Sequence, residues 1–126
     1  MVLIDTHIAV FLHANRLDKI SRRAQEQLEE KDIVLPEIAR LELQYLYEIK
    51  RISFTPEQII SDLYADIGLV CSNTAVNHLI QTAIKVNWTR DVFDRLIAAD
   101  ALFRNSPLIT RDRTIIKHLP LALSAC

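Results

Sequence analysis

The chain alternates short apolar runs with longer amphipathic segments. Such runs, bounded by polar residues, are typical of strands that are buried on both faces of a parallel sheet. The predicted strands are Met1–Ile4, Asp32–Leu35, Ile67–Cys71 and Pro107–Thr110.

Helices are predicted between and after these strands, because typical capping residues precede most of the amphipathic segments. Thr55-Pro-Glu-Gln, for example, combines a cap, a proline at the first helical position and a glutamine at the third. The predicted helices run from Asp5–Thr6 to about Ala14, Ser21 to Glu30, Pro36 to about Lys50, Thr55 to about Ala65, Ser72 to Val86, Asp91 to Arg104, and Thr114 to His118, before an apolar tail. Alternating strands and helices predict an α/β fold, with a mostly parallel sheet covered by helices on both faces.

Length and composition fit one unit. The chain has 126 residues, half of them hydrophobic, which is enough for one domain spanning 1–126 and too few for two. It has one glycine, Gly68, and no linker or low-complexity tract, so no hinge is predicted.

Charge and targeting signals narrow the function classes. The net charge is -1, so any polyanion would have to be held locally by a site. The apolar N-terminus has no basic leader and is too short to span a bilayer, which predicts a cytoplasmic protein that does not engage a membrane. Cys71 and Cys126 have neither disulfide nor zinc spacing and are expected to be reduced.

Four acids occupy positions that suggest a site. Asp5 follows the first strand directly, and Asp112 follows the last predicted strand by one residue. Ligands of parallel sheets bind beyond the carboxyl ends of the strands. Glu42 falls within a helical stripe that we expect to face the core, and a carboxylate there needs a cation or a partner. That stripe consists of Ile38, Leu41, Tyr45, Leu46 and Ile49.

The stretch NWTRDVFDRLIAADAL supplies the fourth acid. Asp94 projects between Ala98 and Ala101 on the apolar face of the predicted helix, where small neighbours leave room around it. Asp91 at the helix start is explained by capping and the helix dipole. Asp100 precedes Arg104 by four residues, which predicts an ordinary surface pair.

Each acid also has an ordinary explanation: Asp5 and Asp112 as caps or turn residues, Asp94 as a first-turn acid, and Glu42 as the partner of an arginine. Four acids at one edge of one sheet favour a site instead, because clustered carboxylates repel one another unless a cation offsets them. Hard oxygen ligands without a cysteine or histidine cluster point to Mg²⁺ or Mn²⁺.

These motifs, in this order, resemble the PIN-domain ribonucleases, in particular the VapC-type toxins of bacterial type II toxin–antitoxin pairs. The motifs are strand-Asp-Thr, LELQYLYEIKRI, RDVFDRLIAADAL and LITRD, and they extend over essentially the whole chain. The resemblance implies a three-layer α/β/α domain that cuts RNA with Mg²⁺ or Mn²⁺, forms homodimers and is blocked by a cognate antitoxin. It assigns the catalytic and metal-binding roles to Asp5, Glu42, Asp94 and Asp112, with Asp91 as an accessory acid and Thr6 and Thr110 as supporting hydroxyls.

Further residues are candidates for contacts with substrate and partners. Arg90, Arg95, Arg111, Arg113 and Lys117 flank the motifs and are candidate phosphate ligands, or else solvated charges paired with nearby acids. Trp88 and Phe93 are candidates for base stacking or for core packing. The large side chains of Leu41, Tyr45, Tyr47, Leu63 and Tyr64 either pack in the core or meet an antitoxin helix or a second subunit.

Two other functions stay open from the residues. One is a phosphoacceptor receiver domain, although that class requires an acid pair after the first strand and an aspartate ending a central strand. The other is a PIN-like module that has lost catalysis and only binds a protein partner.

Overall fold

Five parallel strands form one sheet in the computed structural model, which describes residues 1–126. The strand order is β3-β2-β1-β4-β5, and the neighbouring pairs are all parallel. The strands are β1 (Val2–Ile4), β2 (Ile33–Leu35), β3 (Val70–Cys71), β4 (Leu108–Thr110) and β5 (Ala122–Ser124). The chain moves outward from β1 to β3 and then returns to β4 on the other side of β1.

Seven α-helices flank the sheet in a three-layer α/β/α arrangement, as predicted. They are α1 (Thr6–His13), α2 (Arg22–Glu30), α3 (Glu37–Glu48), α4 (Pro56–Ile67), α5 (Val76–Ala83), α6 (Val92–Arg104) and α7 (Arg113–His118), with a 3₁₀ turn at Leu17–Lys19. Side-chain caps begin α1, α2, α4, α6 and α7. Thr55 and Gln58 form the predicted capping box of α4. None of the helices combines the length and apolar character that a bilayer span requires.

The core lies around the three inner strands of the sheet. β1, β2 and β4 are buried along their whole length, as expected for strands covered on both faces. Ile8 and Ala9 of α1, Leu43 of α3 and Ile97 of α6 pack in the same core. The core therefore holds the starts of α1 and α6 close to the carboxyl ends of β1 and β4.

One strand was missed, and the starts of two other elements differ from the prediction by several residues. β5 was missed, because it is only three residues long and the short apolar tail around it shows no clear alternation of apolar and polar residues. β3 begins later than predicted, because α4 continues to Ile67 and ends at Gly68 in the left-handed conformation, at φ 70°. α5 starts at Val76 rather than Ser72. The preceding residues form a non-helical segment in which the side chains of Ser72 and Thr74 donate hydrogen bonds to Asp100 of α6.

The predicted core face of α3 was right for Ile38, which packs against the core, but wrong for three of its five residues. Leu41, Tyr45 and Ile49 are 58%, 49% and 44% exposed, whereas Ala39 and Leu43 are buried. Periodicity locates an apolar stripe but does not say whether the core or a partner covers it. Among the other large residues considered as partner contacts, Tyr47 and Tyr64 are exposed and Leu63 is buried.

Candidate active site

The first part of the candidate site lies where β1 and β4 end side by side. Ile4 pairs with Ile109, so Asp5 and Thr110 emerge next to each other. The chain reverses its direction across the sheet between β1 and β4, and such switch points form the ligand crevices of parallel sheets. Asp5 is 7% exposed. The predicted acids that follow the strands thus lie at the expected edge.

Thr110 links Asp5 and Asp112. Its hydroxyl donates a short hydrogen bond to Asp5 Oδ2 and accepts the Asp112 backbone N–H at 3.0 Å. The other oxygen of Asp5 accepts from the Ile8 N–H at 3.1 Å, and Asp112 caps α7 through the Ile115 N–H. The capping and site interpretations of these acids are therefore compatible, because each carboxylate also faces the pocket.

Glu42 reaches the site from α3. Its carboxylate accepts a short hydrogen bond from the hydroxyl of Thr6, a residue that is 1% exposed at the start of α1. No arginine pairs with Glu42; the partner that its half-buried position requires is a neutral hydroxyl. Its negative charge is therefore not balanced by a paired arginine or lysine.

Asp91 and Asp94 enter from the start of α6. Asp91 caps the helix by accepting the Asp94 N–H at 2.9 Å, as predicted. The carboxylate of Asp94 is partly buried and takes no hydrogen bond from the protein. Asp94 therefore presents a carboxyl group to the pocket that no hydrogen bond in the fold explains.

These acids line one pocket of about 350 Å³. Its walls are Asp5, Thr6, His7, Phe11, Glu42, Asp91, Asp94, Ile97, Arg111 and Asp112. The structure thus brings together Asp5, Glu42, Asp91, Asp94 and Asp112. Their roles as metal ligands stay a prediction.

Burial and mutual repulsion disfavour the charged forms of three of these acids. Burial and the neighbouring carboxylates, led by Asp91 and Asp112, raise the pKa of Asp94 to about 7. Burial likewise raises the pKa of Glu42, with further contributions from Asp91 and Asp5. Burial raises the pKa of Asp5, against the hydrogen bonds from Thr110 and Ile8. The pocket is therefore a region of unfavourable negative charge at neutral pH.

The donor set fits a hard divalent cation in its chemistry but is not closed into a coordination sphere. Carboxylate oxygens are the ligands that Mg²⁺ and Mn²⁺ prefer. No three acid, histidine or cysteine side chains are grouped as a metal-binding set. Like charges without a cation between them favour separated rotamers, so the acids must turn toward one another to share an ion.

The candidate basic residues have different surroundings. Arg111 lines the pocket and uses Nη1 on the Lys19 carbonyl at 2.6 Å, which leaves its other guanidinium donors available. Arg95 caps α5 by donating to the Ala83 carbonyl at 3.1 Å. Arg90 bonds the Asn87 carbonyl. Arg113 and Lys117 are exposed on α7. Arg111 is thus the basic candidate that lines the same pocket as the acids.

His7 and Phe11 also line the pocket and were given no role from the sequence. The imidazole of His7 partly opposes the rise in the pKa of Asp5 and Glu42 that burial causes. The one sequence feature that could have pointed to His7 is its closeness to Asp5, which lies two residues earlier. A lone histidine at such a position has no metal-ligand spacing and gave no reason to single it out.

The aromatic candidates lie outside the pocket lining. Trp88 is partly buried against the core and stacks on His118, with ring centroids 5.3 Å apart. Phe93 lies beside Tyr45, 6.1 Å between centroids. For Trp88 the packing interpretation is the one that these contacts support.

The prediction for Asp100 was wrong. It is 1% exposed rather than on the surface, and Arg104 Nε donates to it at 3.1 Å. Ser72 and Thr74 donate their hydroxyls to its two oxygens, each at 2.6 Å. The i,i+4 spacing correctly identified Arg104 as a partner but did not reveal the loop that buries the pair.

A larger cavity of about 550 Å³ lies beside α3, α5 and the start of α4. Half of its lining residues are hydrophobic, and its charged residues, Glu37, Arg40 and Glu57, include no cluster of acids. Glu37 is also paired with Arg40. Size alone does not identify a catalytic site, so the smaller acidic pocket is the candidate active site.

Comparisons with known proteins agree with this architecture. The α/β/α sheet with acids at its switch point defines a class of parallel-sheet domains with a ligand crevice. Within that class, the family model of the PIN domain matches residues 2–119. The chain therefore belongs to the PIN domain family.

Solved structures share the fold over nearly the whole chain. VapBC2 from Rickettsia felis, bound to a DNA fragment from its promoter, is 20% identical with a TM-score of 0.66, covering 98% of this chain and 97% of that one. A toxin–antitoxin complex from Klebsiella pneumoniae is 18% identical with a TM-score of 0.66, covering 100% and 98%. DNA-bound VapBC from Salmonella typhimurium is 20% identical with a TM-score of 0.60, covering 99% and 98%. No curated protein matches the chain.

Proposed function

We propose that the protein is a Mg²⁺- or Mn²⁺-dependent endoribonuclease and the toxin of a type II toxin–antitoxin pair. The observation that carries the proposal is the convergence of five acids from four segments in one pocket, where their repulsion and burial raise the pKa of Asp94 to about 7. A cluster of this kind is tolerated at neutral pH when a divalent cation balances it.

Asp5 and Asp94 are the proposed direct ligands, and Glu42 and Asp112 the proposed ligands through water or the groups that orient the attacking water. Asp91 is an accessory acid. The chemistry that a bound ion supplies is activation of a water and stabilisation of negative charge on the scissile phosphate. Thr110 and Thr6 hold Asp5 and Glu42 in place through their hydroxyls.

Arg111 is the proposed phosphate contact. It lines the same pocket as the acids, and a guanidinium holds phosphate oxygens through several N–H groups. Arg113 and Lys117 extend positive charge along α7. Arg95 is not a proposed phosphate contact, because its guanidinium already donates hydrogen bonds to the Ala83 carbonyl at the end of α5.

An antitoxin and a second copy of the chain are the proposed partners. One structural neighbour is a toxin–antitoxin complex from Klebsiella pneumoniae, and those from Rickettsia felis and Salmonella typhimurium are VapBC proteins. The exposed side chains of Leu41, Tyr45 and Tyr64 supply apolar area for such contacts. The proposed place of action is the cytoplasm.

A PIN-like module without catalysis is the alternative. The acids are all present, whereas a pure binding module has no need of a repulsive acidic pocket. A receiver domain does not fit, because the chain belongs to the PIN family and Asp94 lies on a helix, where a receiver requires an aspartate at the end of a central strand.

RNA cleavage tests the proposal. Purified protein is incubated with end-labelled RNA in Mg²⁺, Mn²⁺ or excess EDTA. We expect cleavage with either metal, none in EDTA, and none with Asp5→Asn, whose fold is checked by circular dichroism. Asp66→Asn is the control, since Asp66 is exposed and lies outside the pocket. Cleavage in EDTA, or full activity of Asp5→Asn, would reject the metal mechanism.

A further inference from the structure

We infer that Asp100 is a positioning residue for the acidic site, acting through Ser72 on the start of α3. The inference rests on the metal site proposed above. It starts from a buried carboxylate that the proposed mechanism does not use, on the same helix as Asp94.

Asp100 is held by three donors from two segments. Ser72 and Thr74, in the segment between β3 and α5, donate to its two oxygens at 2.6 Å. Arg104 adds its Nε–H from the next turn of α6 and bonds Asn73 through Nη2. Both carboxylate oxygens thus have a partner, and the segment is fixed to α6.

Ser72 passes this constraint to α3. Its hydroxyl oxygen accepts a hydrogen bond from the Glu37 N–H at 2.9 Å, and its O–H donates one to Asp100. The residue in the capping position of α3 is Pro36, which offers no side-chain cap. A hydroxyl 35 residues further along the chain therefore does the capping, and the free N–H groups of a helix start favour the nearby negative charge.

The geometry connects this Asp100–Ser72–Glu37 relay to the acids. Asp94 lies six residues before Asp100, about 9 Å along the helix axis, and Glu42 lies five residues after Glu37, about 7.5 Å along its own. The relay therefore fixes one end of the α3 and α6 pair, and the pair carries Glu42 and Asp94 further along. A shift of α3 at the relay changes the separation of these two acids.

The test compares two buried serines near the end of α6. Ser72→Ala breaks the relay. Ser106→Ala is the matched control: Ser106 is 7% exposed, compared with 6% for Ser72, and its hydroxyl bonds only the Arg104 carbonyl. Calorimetry with Mn²⁺ measures affinity, and NMR of the metal-free proteins measures the side-chain carboxyl ¹³C shifts of Glu42 and Asp94.

We expect Ser72→Ala to weaken Mn²⁺ binding by about 10-fold, in the range found for groups that orient metal ligands, and to move both carboxyl resonances. Ser106→Ala should leave the Mn²⁺ affinity and the carboxyl shifts of Glu42 and Asp94 unchanged within experimental error. Equal behaviour of two folded variants would overturn the inference. If Ser72→Ala does not fold, Ser72→Cys, with its weak donor and acceptor, takes its place. If the wild-type protein binds no Mn²⁺, the proposed function fails, and the carboxyl shifts still decide whether the relay positions the acids.

Discussion

Asp94 and Asp100 lie on one helix six residues apart, and both carboxylates are at least partly buried, yet their surroundings are opposite. Asp100 has two hydroxyls and a guanidinium on its oxygens. Asp94 has no donor and four acids nearby, which together with burial raise its pKa to about 7. A buried acid with every partner in place stabilises the fold, whereas one among like charges marks a site that is completed by a ligand.

The largest expected effect is on stability, at Asp100. Asp100→Ala removes the acceptor of three donors and leaves the largely buried Arg104 without its partner, so it should lower the free energy of unfolding by about 3 kcal/mol. Urea denaturation at pH 7 measures this. Asp66→Ala, on an exposed position, should change it by less than about 0.5 kcal/mol. A similar small change in Asp100→Ala would erase the contrast between the two acids.

Asp94→Asn should reduce activity rather than stability. It keeps the shape of the side chain and removes a proposed ligand, so RNA cleavage in Mg²⁺ should fall by more than about 100-fold, since even groups that only orient metal ligands are worth about 10- to 100-fold. Single-turnover cleavage rates measure the loss. A variant that keeps more than about a tenth of the activity would show that Asp94 is not a ligand.

The same substitution should stabilise the metal-free protein at high pH. Because the pKa of Asp94 is raised from 3.8 to about 7 in the fold, the unfolded chain releases this proton first, and wild-type stability falls as pH rises across that interval. Asp94→Asn removes the loss. Above pH 7 the gain should be on the order of 2 kcal/mol, after allowance for solvent screening of a partly exposed group.

Urea denaturation of both proteins in EDTA, at pH values on either side of that interval, measures the effect. The two curves should converge at the acid end, where the wild-type carboxyl is protonated in both states. A gain that is independent of pH would mean that the repulsion between the acids is not its source.

The smallest expected effect concerns the hydroxyl that holds Asp5. Thr110→Val keeps the shape of the side chain but removes the donor to Asp5 and the acceptor of the Asp112 N–H. Mn²⁺ affinity should fall by about 10-fold. Thr55→Val, in the capping box of α4, is the control and should leave the affinity unchanged. An unaltered affinity in Thr110→Val would show that Asp5 needs no such support.

The fold and the acids were largely predictable from the sequence, because both depend on local patterns. Short apolar runs gave the strands β1, β2 and β4, and an acid after a strand in a parallel sheet has to lie at the ligand-binding edge. Asp91 and Thr55 were recognisable as caps from their own neighbourhoods.

The remaining features depend on segments that meet only in the folded chain. Asp100 resembled a surface residue because the hydroxyls that bury it come from Ser72 and Thr74, in a different segment. Glu42 was expected to need a cation or a partner, and the partner in the fold is the Thr6 hydroxyl from α1, which no local pattern indicates. The exposure of Leu41 and Tyr45 could not be read from periodicity, which gives the direction of a stripe relative to the helix and not relative to the sheet.

Anomalous diffraction from crystals grown with Mn²⁺ tests most directly whether the acids share one ion. We predict a strong manganese peak in the pocket, about 2.0–2.3 Å from carboxylate oxygens of both Asp5 and Asp94, with the side chains turned toward each other. Manganese bound only elsewhere on the molecule, or acids that stay apart with no peak between them at saturating metal, would contradict the proposed site.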